Sequence, residues 1–324
     1  MARVRYGART EAEMAAGRTA VAKLPDIWST GVVARWETDP DALAAVLPPP
    51  LKPTGRPLVR VNISRVDLPG HPLGAGSFAV AAAHAGVDGW YPLVMPMTQE
   101  RALTGGREVF GEPKKLGEVT VEREGLVVHA SLARHGIAFV EVRGAVSGPL
   151  PLPEPSRKTD FYFKFLPAVD GWGFDGDPVL VHCLRNEKVR RLERVTGEVV
   201  LRESMYDPVA DLPVLRLVDI TIGEKTSDQR GKVVERVSAQ ALLPYTYPYS
   251  REGLRIAYAG VPRDEVAAMV GGNAARVYGF DLDLLDPIAA KTGPTLAELA
   301  EPLTEPPPDA TSPAFARGAS VRVW

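Results

Sequence analysis

The sequence predicts a mainly β protein of the α+β class, a closed or sandwiched antiparallel sheet followed by a helical C-terminal appendix. Three observations lead there. From about Ile27 onward, short β-rich runs follow one another, separated by glycine and proline. Near Gly253 the texture changes to helix-start patterns and then to a proline-rich tail. The chain has 324 residues, 45% hydrophobic and 24% charged, an ordinary globular composition long enough for one large core or two modest ones.

The elements follow in order. Residues 8–20, rich in alanine and glutamate, read as a short polar helix. Residues 118–123 alternate, with Val119 and Val121 on one face; Gly125 offers a turn, and 126–133 and 137–146 complete an antiparallel meander. A second set reads as three strands at 179–184, 188–195 and 198–203, and 219–223 with 233–243 as the last pair. Val261-Pro262-Arg263-Asp264-Glu265 opens a helix with proline and acids in its first turn, interrupted at Gly271-Gly272. Asn273 caps a short helix over 274–278, Asp286-Pro287 starts another, and Thr295-Leu296-Ala297-Glu298 is a capping-box pattern. The organisation is a β-rich domain over 1–253, then a helical appendix and proline-rich tail over 254–324.

Composition excludes several classes. A net charge of −2 speaks against a nucleic-acid binder, and no apolar run approaches the roughly 18 residues of a membrane span. The start of the chain lacks the apolar stretch of a secretory signal, and a single cysteine, Cys183, allows no intrachain disulfide; both favour the cytoplasm. Cys183 reads as a small buried strand residue. Gly74-Ala75-Gly76-Ser77-Phe78-Ala79 fits the dinucleotide glycine pattern, but residues 78–83 look like a strand where that motif needs a helix. The five histidines show no metal-ligand spacing, and Asp281, Asp283 and Asp286 lack the glycine and distal glutamate of a calcium loop.

One segment carries chemistry: Gly105-Gly106-Arg107-Glu108-Val109-Phe110-Gly111-Glu112-Pro113-Lys114-Lys115-Leu116-Gly117. An adjacent lysine pair is ordinarily a solvated surface feature. This one follows a proline inside an apolar, glycine-punctuated run. A lysine must be neutral to attack a carbonyl; its ordinary pKa is about 10.4, and burial or a nearby like charge disfavours the ammonium. Neighbours on a strand point to opposite faces, so Lys115 need not touch Lys114, whereas Glu112, two residues away, shares its face and is a candidate acid/base. Tyr91, Met95, Met97 and Phe110 are candidate pocket walls, and Arg107 with Glu108 a candidate ion pair.

The segment Gly106-Arg107-Glu108-x-x-Gly111-x-Pro113-Lys114-Lys115-Leu116 resembles the signature of acetoacetate decarboxylases. Weaker landmarks fall in the family's order: Leu47-Pro48-x-Pro50-Leu51, Gly86-Val87-x-Gly89-x-Tyr91, Phe163-Lys164-x-x-Pro167 and Asp211-Leu212-Pro213-Val214. Glu100-x-Ala102 is read as the turn before the lysine. The resemblance covers about residues 26–250. It implies a barrel-like core that assembles into homo-oligomers, and a lyase in which Lys114 forms a Schiff base with a small keto acid. Lys115 is its electrostatic partner, and no cofactor is required. The sequence also departs from the family. The position of its catalytic glutamate is Ala75, that of its carboxylate-binding arginine is Ser29, and a second pocket glutamate maps near Asn62.

Two further readings stay open. Some relatives with the same losses carry out aldol–dehydration without decarboxylation, and the scaffold can also serve as an inactive docking subunit. Residues 260–303 resemble the C-terminal end of metal-dependent amidohydrolases, which implies docking on an amidohydrolase-like partner.

Overall fold

The computed structural model describes residues 6–22, 25–68, 72–169, 173–204 and 206–246, with single positions at 265, 268 and 281. The helices expected beyond Gly253, the amidohydrolase-like segment and the division at 253/254 lie outside the described residues, apart from those single positions.

The elements in chain order are α1 (Glu11–Ala22), β1 (Trp28–Glu37), α2 (Pro40–Ala45), β2 (Lys52–Pro53), β3 (Leu58–Val66), β4 (Leu73–His84), β5 (Val87–Met97), α3 (Glu100–Phe110), β6 (Lys114–Leu116), β7 (Glu118–Glu124), β8 (Val127–Arg134), β9 (Ile137–Pro149), β10 (Ser156–Lys164), β11 (Val179–Leu201), β12 (Arg216–Arg236) and α4 (Ala239–Leu242). The sheet runs β10-β5-β4-β3-β1-β12-β11-β9-β8-β7, and β10 also pairs with β11. That pairing closes seven strands, β10, β5, β4, β3, β1, β12 and β11, into a ring. The meander β9-β8-β7 continues from β11.

The protein is mainly β with a closed sheet, as the sequence predicts, but the sheet is mixed. β10 pairs parallel with β5, and β6 pairs parallel with β5 on another stretch. The segment 100–113 lets the chain re-enter beside β5 in the same direction. It contains α3, an eleven-residue helix where the turn before the lysine was expected. Gly105-Gly106 reads as punctuation in sequence, yet both lie inside this helix.

The second set of strands is also corrected. Residues 179–201 form one 23-residue strand, not three. The apparent break at Gly197 is a close approach: Gly197 pairs with Gly144, and a Cβ there would lie 2.0 Å from the Arg143 carbonyl oxygen. The apparent break at Arg185-Asn186-Glu187 is a stretch whose charges are satisfied inside the ring. β12 is likewise continuous over 21 residues, and the chain then turns into α4 instead of continuing as a strand to 243. His135-Gly136 and Ala85-Gly86, both at positive φ, make the tight hairpin turns expected of such dipeptides.

The described chain falls into two compact units. The first, from residues 1–43, 53–161 and 182–232, carries the functional segment. Alternation sorts its side chains. Val32, Ala34 and Trp36 of β1 and Val59, Val61 and Ile63 of β3 are fully buried on one face. Trp36 packs edge-on against Phe78 at 5.6 Å and donates Nε1–H to the Leu212 carbonyl. The intervening positions Val33, Arg60 and Asn62 face a cavity. In the second unit, from 44–52, 162–181 and 233–324, the Phe165 and Phe174 rings meet at 4.7 Å, tilted by 57°, and the Ser238 side chain caps α4. Among the described residues no helix is long and apolar enough to cross a membrane.

Candidate active site

Lys114 reaches its position through α3. Gly111, in the left-handed region at φ 80°, closes the helix; its N–H binds the Arg107 carbonyl, and the Glu112 N–H binds the Gly106 carbonyl. The first of these bonds is that of an αL closure, and glycine supplies the positive φ. Pro113 then sets Lys114 as the first residue of β6, opposite Met95 of β5. Arg107 donates to the Lys114 carbonyl at 3.3 Å, where an ion pair with Glu108 was expected.

The Lys114 side chain is 14% exposed and the Glu112 side chain 1%. Nζ lies 2.7 Å from Glu112 Oε2, and Oε2 has no well-aligned hydrogen bond. Glu112 Oε1 accepts from Arg185 at 3.2 Å and from Gln229 at 3.0 Å. The two side chains meet as expected, but by another route. Glu112 is in the helix-closing turn, not on the strand, so the shared-face argument does not place it. Gly106 lets the pair fit: a Cβ there would lie 2.1 Å from Glu112 Oε2 and 2.6 Å from Lys114 Nζ.

Lys114 and Glu112 line a cavity of about 200 Å³ to which all seven ring strands contribute. Met95 and Met97, two apart on β5, form part of its wall; Tyr91 and Phe110 stand outside its lining. Ala75 and Asn62, where the family pattern has glutamates, both line it. Ser29 does not; its hydroxyl donates to the Lys225 carbonyl.

Most of the charge in this cavity comes from residues outside the lysine segment, none of them a sequence candidate. Five cationic side chains, Arg60, Lys114, Lys158, Arg185 and Lys225, face three carboxylates, Glu112, Asp160 and Glu187. Asp160 bridges Arg60 (3.2 Å) and Arg185 (2.5 Å). Burial pushes its carboxyl up, but the two guanidiniums outweigh this and hold it below its ordinary value. Glu187 pairs with Lys158 and with Lys225. Burial raises its carboxyl too, yet the two ammonium groups bring it to about 2. Burial lowers Lys225 despite Glu187. The surplus of positive charge suits an anion, and the Arg60 Nε donor and Asn62 Oδ1 acceptor are buried without hydrogen-bond partners. The signal was period-two polar placement, Arg60/Asn62, Lys158/Asp160 and Arg185/Glu187, within strands.

Lys115 faces elsewhere. Its Nζ binds Asp207 at 3.0 Å, and Asp207 also takes Arg134 at 2.6 Å. Burial lowers the Lys115 pKa against the opposing pull of Asp207. Cys183 is fully buried, and burial pushes its thiol up to about 12, which leaves it an inert packing residue. Among the described residues, no three His, Cys, Asp or Glu side chains form a group that could hold a metal ion.

The acetoacetate decarboxylase family model matches residues 11–238. An acetoacetate decarboxylase from Paraburkholderia phytofirmans is 29% identical over 217 residues, 59% of this chain and 81% of that protein. The crystal structure of acetoacetate decarboxylase from Legionella pneumophila has a TM-score of 0.58 at 23% identity, covering 65% of this chain and 86% of its own. The enduracididine biosynthesis enzyme MppR, complexed with the condensation product of pyruvate and imidazole 4-carboxaldehyde, has a TM-score of 0.54 at 16% identity, covering 65% and 90%. These structural likenesses show the fold.

Proposed function

The chain belongs to the acetoacetate decarboxylase family, and on that premise we propose that it is a lyase whose Lys114 amine forms a Schiff base with a small keto acid. The observation that carries the reading is the Lys114–Glu112 pair, 2.7 Å apart in a cavity with surplus positive charge.

The chemistry follows from those groups. Glu112 accepts a proton from the Lys114 ammonium, and the neutral amine attacks the keto carbon. The carbinolamine loses water to give a protonated imine. With a β-keto acid, the bond to the carboxyl carbon breaks, its electron pair enters the imine, and CO₂ departs. The resulting enamine takes a proton on carbon, for which Glu112 is the nearest donor to Lys114, and water then releases the ketone and the amine. The carboxylate docks on the unpartnered Nε–H of Arg60. No metal or organic cofactor enters these steps. We place the enzyme in the cytoplasm as a homo-oligomer.

Alanine at position 75, on the cavity wall, favours a second reading, in which an α-keto acid imine tautomerises to an enamine and condenses with an aldehyde. Three cavity carboxylates support either reaction over a binding-only role. Incubation with acetoacetate, and separately with pyruvate and an aldehyde, followed by CO₂ measurement and product mass spectrometry, tests this. CO₂ release supports decarboxylation and a condensation product supports the second reading. Neither product, together with no covalent adduct, overturns both.

A further inference from the structure

A second hollow of about 310 Å³ adjoins the first. Five side chains, Val33, Arg60, Lys158, Glu187 and Lys225, one from each of β1, β3, β10, β11 and β12, line both. They form a girdle, and the strands show that the two hollows are stacked end to end. Along β11, Arg185 faces the first, Glu187 both and Val189 the second. Along β12 the same order is Gln229, Lys225 and Thr221; at β10, Asp160 and Lys158 are followed by Pro153 of the preceding segment.

The second hollow is the more apolar, walled by Val33, Trp90, Pro153, Val189 and Leu192. The first already exceeds the needs of a four-carbon keto acid, since a dry cavity of about 150 Å³ admits benzene. The girdle is not a packed plug. The Lys158 and Lys225 side chains are 45% and 25% exposed and are tied to one carboxylate, and their methylene stems offer apolar surface to a passing chain.

We propose that the two hollows form one binding site, the first taking the carbonyl and carboxylate of a keto acid and the second its apolar tail. The enzyme then prefers keto acids longer than acetoacetate. The head-group assignment rests on the Schiff-base reading; the tail assignment rests on the second hollow alone.

Calorimetry with saturated carboxylates from acetate to octanoate tests the tail site, because these ligands cannot form an imine. In the wild-type protein, affinity is expected to rise by up to roughly fourfold per methylene once the tail passes the girdle. Leu192→Trp, or Val189→Phe if the first variant does not fold, is expected to remove that rise and leave butyrate binding unchanged. Affinity that is flat with chain length in the wild type, or a rise that survives a filled second hollow, overturns the proposal. Borohydride trapping of pyruvate in the same preparations reports the head group separately. Trapping without a chain-length effect overturns only the tail site, and a chain-length effect without trapping overturns only the Schiff base.

Discussion

Lys114 Nζ and Glu112 Oε2 stand 2.7 Å apart although one begins β6 and the other lies in the turn that follows α3. The distance makes Glu112 the immediate proton partner of the amine. Glu112→Gln keeps the side-chain volume and an oxygen for Arg185 and Gln229 but removes the base. Turnover is expected to fall by roughly 10²-fold or more, with thermal stability changed far less. Activity within a few-fold of wild type would remove Glu112 from the mechanism.

Gly106 separates function from stability. Alanine is intrinsically better in a helix by about 1 kcal/mol. Its Cβ would nonetheless meet Glu112 Oε2 at 2.1 Å and Lys114 Nζ at 2.6 Å. Both atoms end flexible side chains, so they move and the fold survives. Gly106→Ala is expected to cut turnover at least tenfold while the melting temperature holds or rises; thermal unfolding beside steady-state kinetics reads both.

Lys115 is expected to be a structural residue. Its ammonium is bound to Asp207, which is buried beside Arg134. Lys115→Met should leave the pH midpoint of imine formation in place and lower stability, by about 1–3 kcal/mol, through the weakened buried carboxylate site. A midpoint raised by the substitution would restore the electrostatic role implied by the family resemblance.

How much of this was legible in the sequence differs from residue to residue. The β-rich order, the Lys114 segment and the inert Cys183 could be read because alternation and local motif determine them. The helix before Lys114 could not, since Gly105-Gly106 lowers helix propensity and only the packing of Lys114 and Glu112 against Gly106 explains the glycine. The unbroken β11 was hidden by Arg185 and Glu187, charges tolerable in a strand only because Asp160, Lys158 and Lys225 arrive from other strands. Lys115 pairs with Asp207, 92 positions away, beyond the reach of any local pattern.

Acid stability tests the girdle. The Glu187 carboxyl lies at about 2 in the folded protein against an ordinary 4.5. A depressed folded value means that its stabilising contribution is present above about pH 4.5 and is lost as pH falls towards 2. The contribution is on the order of 3 kcal/mol at neutral pH. Glu187→Gln is expected to lower neutral-pH stability and to flatten the loss between pH 4.5 and 2. Denaturant unfolding at a series of pH values measures it.

Arg60 carries the anion prediction. Its Nε is buried without a hydrogen-bond partner on the cavity wall. Arg60→Gln should raise KM for a keto acid by roughly tenfold or more, the scale of a charge-assisted hydrogen bond. It should leave KM for a neutral ketone or aldehyde little changed. Equal effects on charged and neutral carbonyls would contradict carboxylate docking at Arg60.

Lys114 is the amine expected to react with carbonyls, and borohydride trapping identifies the reacting lysine. The protein is incubated with pyruvate or acetoacetate, reduced, digested and mapped by mass spectrometry. One adduct is expected, on Lys114 and not on Lys115, and it is expected to be lost in Lys114→Ala. No adduct with either acid, or an adduct on another lysine that persists in Lys114→Ala, would contradict it.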